Sequence, residues 1–260
     1  MPLIPHYLSE ILLGHADRLM IDQMCGAAQA GIYNIVYQIS MVMTIIRTGI
    51  NSSYIPWLYY SLKQKKYEAI KNVTKLITIL MCSLTLLLIL VGPEILKIVA
   101  ASSYYEAVVD IPAIMIGGFF IFVYLLFLNI EIYYEQNQYV AISSVIAAII
   151  NVVLNYVCIN KWGYLAAGYT TMVSYLVMAI LHYLFLMRIA KKNEEVKLLF
   201  DFRFLCCCSV VLLIVGLLCI KLYELLIFRY VIVTGICVVM YLKKNTILAM
   251  IKNMRKRNGE

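Results

Sequence analysis

The stretch IPAIMIGGFFIFVYLLFLNI, residues 111–130, contains no charged side chain, and its only polar groups are those of Tyr124 and Asn129. The hydrocarbon core of a bilayer is about 30 Å thick, and a helix needs about 20 apolar residues to cross it. This stretch therefore predicts a helix that spans a membrane.

The whole chain of 260 residues has the same character. It is 63% hydrophobic and 14% charged, with a mean hydropathy of +0.87, whereas soluble domains are about 45–50% apolar and about 25% charged. This composition excludes a water-soluble globule, a disordered chain and a small disulfide-rich protein. The sequence predicts an all-α integral membrane protein of about eight transmembrane helices.

Eight apolar segments are the predicted spans, at residues 3–21, 30–50, 73–92, 111–130, 139–159, 164–187, 204–220 and 225–242. Gly92-Pro93 is expected to end the third span. Residues 94–110 form a polar connector, residues 188–203 a basic loop, and residues 243–260 a basic tail with the pattern of an interfacial helix.

Positive charge predicts the orientation of these spans. If the spans alternate in direction, sixteen of the 22 Lys and Arg residues lie on one side, in the loop after the second span, in 188–203 and in the tail. Cytoplasmic loops are rich in Lys and Arg, so both termini are predicted to be cytoplasmic in a multi-pass protein of a bacterial inner membrane. The net charge of +8 is then explained by contacts with membrane lipids, and no nucleic-acid partner is expected.

The residues that could carry chemistry do not form a catalytic pattern. The three histidines, His6, His15 and His182, have no metal-ligand spacing, and the eight cysteines contain no C-x-x-C pair. Most of these cysteines lie within apolar runs, where cysteine acts as a small hydrophobic residue. We expect no enzymatic activity, no catalytic residue, no metal and no organic cofactor.

The first span is unusually polar. His6, Glu10, Gly14 and Asp17 follow each other at steps of four and three, which places them on one helical face, and His15 and Arg18 lie beside that face. Ionisable groups within a bilayer usually face a bundle interior or a wet cavity. We therefore predict that Glu10, Asp17, His15 and Arg18 line a substrate path; the alternative is that Asp17 and Arg18 form a solvated cluster at the helix end.

The second span carries a similar stripe of polar side chains, among them the path candidates Asn34, Gln38, Thr44 and Asn51. Arg47, the deepest predicted cation, lies on an overlapping stripe. It either pairs with Glu10 or Asp17 or binds an anionic substrate, because an unpaired buried charge is costly. The alternative is an arginine that extends to the cytoplasmic interface.

Asn151 and Asn155 lie one helical turn apart in the fifth span. Asparagines in membrane helices commonly hydrogen-bond to neighbouring helices. We predict that this pair has a structural role in helix packing.

Four segments together resemble a known family: ADRLMI (16–21), AAQAGIYNIVYQIS (27–40), GPEILKIVAASSYYEAVVDIPAI (92–114) and NVVLNYVCINKWGYLAAGYTTMVSYL (151–176). In order and spacing they resemble the second lobe of Wzx-type polysaccharide flippases, which serve O-antigen and capsule assembly within the MOP/MATE exporter superfamily. The resemblance implies a MATE-like fold of two six-helix lobes, of which this chain would be the C-terminal half.

The resemblance also implies a domain organisation. Residues 1–187 would form the second six-helix lobe and 188–203 a cytoplasmic loop, while 204–242 would add two further helices before the tail at 243–260. Because one lobe cannot enclose a cavity, we expect a truncated or split half-transporter that needs a separately encoded N-terminal lobe or a homodimer.

The function implied is the flipping of an oligosaccharide linked to undecaprenyl diphosphate, during polysaccharide biosynthesis. Arg18 and Arg47 would attract the diphosphate, and Asp17 and Glu10 would balance them and could couple transport to H⁺ or Na⁺. The alternatives are a cation-coupled multidrug or small-molecule exporter of the same superfamily, a membrane-embedded enzyme of glycan assembly, and an inactive accessory fragment.

Overall fold

The computed structural model describes residues 4–256, and within them it contains helices and no strand. Residue 3 of the first predicted span and residues 257–260 of the predicted tail lie outside the described residues. The ten α-helices of the described part are α1 (Ile4–Cys25), α2 (Ala27–Ile39), α3 (Met41–Lys63), α4 (Tyr67–Val99), α5 (Ile111–Tyr133), α6 (Asn137–Trp162), α7 (Ala166–Ala190), α8 (Phe202–Leu218), α9 (Leu226–Leu242) and α10 (Lys244–Lys256). Short 3-10 helices cover Ser102–Asp110, Glu194–Leu198 and Cys219–Leu222.

Among the described residues, five helical segments are long and apolar enough to cross a membrane, or six if α9 and α10, which meet at a bend of 55°, count as one span. The five contain α4, α5, α6, α7 and α8. The structure is therefore that of an all-α membrane protein, with fewer apolar spans than the eight predicted.

The difference lies partly in the first two predicted spans. α1 is helical but carries four charged residues, Glu10, Asp17, Arg18 and Asp22. The second predicted span is divided at Ser40 into α2 and α3, and α2 alone has only 13 residues. Conversely, the third span does not end at Gly92-Pro93, because α4 continues through Pro93 to Val99.

The helices form two compact units. One comprises the described residues up to Val42 together with Gly92–Ile189; the second comprises Met43–Val91 and the described residues from Ala190 onwards. The division predicted at residues 187, 203 and 242 concerns the membrane organisation and stays a prediction.

In the first unit, α5 is buried on nearly all sides. Its apolar side chains, including Phe119 and Phe120, are almost fully enclosed. α1 packs against α6 and turns into α2 at Gly26, whose φ of 102° ends the helix while its N–H donates to carbonyls of α1. Left-handed backbone of this kind favours glycine.

Gly92 allows the chain of α4 to pass close to the start of α5. A Cβ atom at residue 92 would lie 2.7 Å from Cγ2 of Ile111, which is completely buried. We expect Gly92→Ala to destabilise the protein by about 1–3 kcal/mol, the usual effect of overpacking. Thermal unfolding in detergent, followed with a dye that reacts with newly exposed cysteines, would measure the change.

Gly31→Ala is the matched control, because no atom lies within 4 Å of a Cβ built at that helical glycine. Alanine favours helix over glycine, so this variant should be neutral or slightly stabilised. Equal unfolding midpoints for the two variants would contradict the steric argument.

In the second unit, polar contacts join α3, α4 and α8. The hydroxyl groups of Tyr54 and Thr74 lie 2.9 Å apart and both residues are buried. Nζ of Lys75 lies 2.7 Å from Oδ2 of Asp201, whose Oδ1 accepts the N–H of Phe204 at the start of α8. The hydrogen bond from Lys75, helped by that from Phe204, lowers the pKa of Asp201.

Candidate functional site

The polar face predicted for α1 lies against the interior of the first unit. His6 and Asp17 are buried, whereas apolar residues on the rest of the helix are more than half exposed, including Leu8, Ile11 and Leu19. A helix with polar groups inside and apolar groups outside is suited to a bundle surrounded by lipid. The periodicity of α1 thus directs His6, Glu10 and Asp17 toward the neighbouring helices, whereas His15 and Asp22 are exposed.

At the first turns of α1, His6 and Glu10 meet α6 and α5. Nδ1 of His6 lies 2.5 Å from Oγ of Ser144, and the Tyr124 hydroxyl donates to Oε1 of Glu10 at 2.6 Å. The second oxygen of Glu10 lies 3.9 Å from Nε2 of His6. Glu10, a predicted path residue, is therefore held by a tyrosine and a histidine.

Asp17 is the centre of a polar cluster that joins four helices. Its carboxylate accepts hydrogen bonds from Tyr33 of α2 at 2.9 Å, from Nδ2 of Asn155 of α6 at 2.6 Å and from Thr171 of α7 at 2.6 Å. Asp17 is 2% exposed and the asparagine is fully buried. The carboxylate is thus the shared acceptor for three donors and does not form a solvated helix end.

Asn151 and Asn155 extend this cluster along α6. Nδ2 of Asn151 donates to Oγ1 of Thr171 at 3.1 Å, and Asn155 contacts Oδ1 of Asn151 at 3.2 Å. The Thr170 hydroxyl donates to Oδ1 of Asn155. The two amides, which we predicted to act in packing, therefore hydrogen-bond to side chains of both α1 and α7.

Arg18 lies beside the Asp17 cluster and is half-buried. It donates to Oδ1 of Asn34 at 3.0 Å and to the carbonyl of Gly14 at 2.6 Å, and its guanidinium carbon lies 4.6 Å from the centre of the Tyr37 ring. A guanidinium group can only donate, so Nδ1 of His15, 3.0 Å away, is the acceptor in their contact. The structure thus brings together three predicted path residues, Arg18, Asn34 and His15.

The charge of Arg18 has no carboxylate partner within the described residues. Three of the five N–H donors of the guanidinium contact Asn34, Gly14 and His15, and the other two have no partner among the described residues. Such a group is oriented but not neutralised, and it could donate to the oxygen atoms of a phosphate.

The remaining candidates from the second predicted span lie on two different helices. Gln38 is exposed near the end of α2, whereas Thr44, Arg47 and Asn51 are half-buried on α3, in the second unit. The break at Ser40 divides the helix that was predicted to align them. Among the described residues of its own unit, Arg47 has neither an ion pair nor a hydrogen bond, while Glu10 and Asp17 have the other partners given above.

The first unit contains a buried pair that was not predicted from the sequence. Nδ1 of His182 on α7 lies 2.9 Å from Oε2 of Glu131 on α5, and both side chains are fully buried. The imidazole stacks on Tyr124, with ring centres 5.4 Å apart. Glu131 lies between the fourth and fifth predicted spans, in a segment that was predicted as a loop and is helical in the structure. His182 could have been identified from the sequence, because ionisable residues within apolar spans are functional candidates.

The site as a whole combines an arginine that has no carboxylate partner among the described residues with several titratable groups of the first unit. Within residues 4–256, no group of three or more His, Cys, Asp or Glu side chains is arranged to hold a metal ion.

Comparison with known proteins gives a family and a relative. Residues 2–157 match the family model described as MatE. Over 155 residues the chain is 29% identical to "Lsg locus putative protein 1" of Haemophilus influenzae, and this alignment covers 58% of the chain and 38% of that relative. The aligned region is thus well under half of the relative's length. The family match contains α1 and α2 and most of α6, whereas α7, which contributes Thr171 to the Asp17 cluster, lies beyond it.

Proposed function

The chain belongs to the MatE family, whose members are membrane transporters rather than enzymes, and from this premise we propose that it contributes one lobe of an exporter for a lipid-linked oligosaccharide. The cargo would be an anionic glycan carried on a lipid diphosphate such as undecaprenyl diphosphate, and the process would be assembly of a surface polysaccharide such as O-antigen or capsule.

The observation that carries this proposal is the guanidinium group of Arg18. It is half-buried in the first unit, held by Asn34, Gly14 and Tyr37, and free of any carboxylate among the described residues. A diphosphate supplies the acceptor oxygens and the negative charge that such a group lacks. A cationic drug would be repelled at this position, which favours the anionic cargo over the multidrug alternative.

The motifs given above support the polysaccharide assignment within the family, since they resemble Wzx-type flippases in order and spacing. Because the aligned region is 38% of its relative, we propose that the working transporter contains a further lobe, supplied by a longer or separately encoded polypeptide or by a second copy of this chain. Two lobes would then rock against each other around the cargo.

The proposed location is the inner membrane of a bacterium, with both ends of the chain in the cytoplasm. This orientation rests on the concentration of Lys and Arg in alternate loops. Coupling to H⁺ or Na⁺ would use the titratable groups of α1, in particular Glu10 and Asp17.

The test is replacement of Arg18 in the native host after deletion of the chromosomal copy. We expect Arg18→Gln to reduce surface polysaccharide about tenfold or more, because a hydrogen bond to a charged group contributes about 1.5–3 kcal/mol and 1.4 kcal/mol corresponds to tenfold. Stained extracts of cell-surface glycan and accumulation of the lipid-linked precursor would both be measured. Arg47→Gln, measured in the same way, tests the predicted role of the cation on α3.

Arg18→Lys retains the charge and should retain part of the export, and Lys161→Gln removes an exposed cation elsewhere in the first unit. Membrane levels and unfolding temperatures of all variants would be compared. Wild-type glycan in the Arg18→Gln strain at normal expression would refute the role of Arg18, and a drug-sensitivity phenotype without glycan loss would favour the drug exporter.

A further inference from the structure

The second unit contains a groove between α10 and the ends of α3 and α4. Its volume is about 780 Å³, which is within the size range of ligand-binding clefts. The lining includes Trp57 of α3, Ala69 and Leu76 of α4, and Ala249 and Met250 of α10. Most of these side chains are apolar, so the groove suits a hydrocarbon chain.

Polar groups lie among the apolar ones at both walls of the groove. Asn72 of α4 and Asn245 and Thr246 of α10 contribute to the lining. The position of the groove explains this mixture, because it lies within three turns of the start of α4, a membrane-spanning helix. The end of a helix long enough to cross the membrane is where we expect the bilayer interface, in which acyl chains meet glycerol esters and head groups.

Positive charge is carried by α10 and by the turn before α4, two of the segments next to the groove. α10 follows α9 at a bend of 55°, and residues 244–256 contain no acidic residue. Its Lys244 and Lys252 are exposed, and so are Lys65 and Lys66 in the turn before α4. The ion pairs of the described residues include none of these four lysines.

A ligand of this groove must therefore match two features at the same time. Its interior accepts an apolar chain, and its rim attracts negative charge. Basic clusters beside a transmembrane helix attract the anionic lipids of the cytoplasmic leaflet, each lysine contributing about 1 kcal/mol, or about fivefold in affinity. A zwitterionic lipid supplies an acyl chain for the apolar interior, but it has no net negative charge for the lysines at the edge of the groove.

We propose that this groove binds one anionic phospholipid of the surrounding membrane, with an acyl chain between α10 and α4 and the phosphate head group near Lys244 and Lys252. The bound lipid holds α10 in the plane of the interface, against α3 and α4. This site is independent of the proposed transport function, because every residue that forms it belongs to the second unit and none of them is a predicted path residue.

Tryptophan fluorescence in vesicles tests this binding directly. The chain has two tryptophans, so in a Trp162→Phe protein the signal comes from Trp57 in the groove. Two vesicle preparations contain phosphatidylglycerol and phosphatidylcholine in equal amounts. In the first, the acyl chains of phosphatidylglycerol carry bromine, which quenches tryptophan at short range. In the second, the acyl chains of phosphatidylcholine carry bromine at the same mole fraction. We expect brominated phosphatidylglycerol to quench Trp57 several-fold more than brominated phosphatidylcholine.

Two sets of variants separate the head-group contact from the groove itself. Lys244→Gln with Lys252→Gln should abolish the preference for phosphatidylglycerol, whereas Lys→Arg at both positions should retain it. Ala69→Leu with Ala249→Leu fills the groove without a change in charge and should reduce quenching by both lipids. Binding of anionic lipid by the basic surface alone predicts unchanged quenching in the filled variant.

The proposal is overturned if the two brominated lipids quench Trp57 equally, or if neither quenches it, the result expected when protein closes the groove. It is also overturned if the filled variant is quenched as strongly as the unfilled protein. The circular dichroism and unfolding temperature of each variant confirm that the comparison is made on folded protein.

Discussion

Replacing His182 with phenylalanine is expected to destabilise the protein by about 1–3 kcal/mol, the usual cost of leaving a buried hydrogen-bonding group without its partner. Phenylalanine retains an aromatic ring that can stack on Tyr124, but it leaves Oε2 of Glu131 without its partner at 2.9 Å. Both side chains of the native pair are fully buried, so water cannot replace the lost contact. The unfolding midpoint in detergent, followed by cysteine reactivity, would measure the loss.

The double variant His182→Phe with Glu131→Leu is the matched control. Replacing both members of a buried pair by apolar groups is often neutral, so most of the lost stability should return. Glu131→Gln alone should cost less than His182→Phe, because an amide can still hydrogen-bond to the imidazole. If the effects of the two single substitutions simply add in the double variant, Glu131 and His182 do not interact energetically and the prediction is wrong.

Asp17→Ala is expected to lower the free energy of unfolding of the first unit by at least about 2 kcal/mol. Three donors, from Tyr33, Asn155 and Thr171, lose their common acceptor. Hydrogen bonds between membrane helices average about 0.6 kcal/mol each in double-mutant cycles, which sets the lower figure. Buried donors that are left unsatisfied cost about 1–3 kcal/mol each. A larger loss of stability is therefore expected if water does not enter the cavity that the Asp17 side chain leaves.

Asp22→Ala is the control in the same helix, since Asp22 is exposed and its removal should have little effect. Asp17→Asn keeps one acceptor oxygen and should lie between the two alanine variants. Equal unfolding temperatures for Asp17→Ala and Asp22→Ala would show that the cluster does not stabilise the bundle. An export defect in Asp17→Asn without loss of stability would instead point to a role in ion coupling.

The polar face of α1 could be predicted because helical periodicity is a local property. The steps of four and three between His6, Glu10 and Asp17 place them on one side wherever a helix forms. Their partners could not be predicted in the same way. Tyr124 and Asn155 are more than 100 residues away along the chain, and only packing selects them.

The pair of Glu131 and His182 was missed for a similar reason. Glu131 lies directly after an apolar stretch and His182 lies within one. The free-energy cost of burying either side chain depends on which side chain packs opposite it. α5 and α7 bring the two side chains together across 51 residues of sequence. The division of the second span at Ser40 was also missed, because that serine alone does not differ from one within a continuous helix.

By itself, the sequence determined that the chain is an all-α membrane protein with an ionisable face on its first helix, because composition and periodicity act over a few turns of helix. Only the tertiary structure decided that Asp17 serves three helices while Arg18 lacks a carboxylate partner among the described residues. The physical reason is that hydrogen bonds and ion pairs have a reach of about 3–4 Å, so side-chain partners are chosen by packing between helices that are distant in sequence.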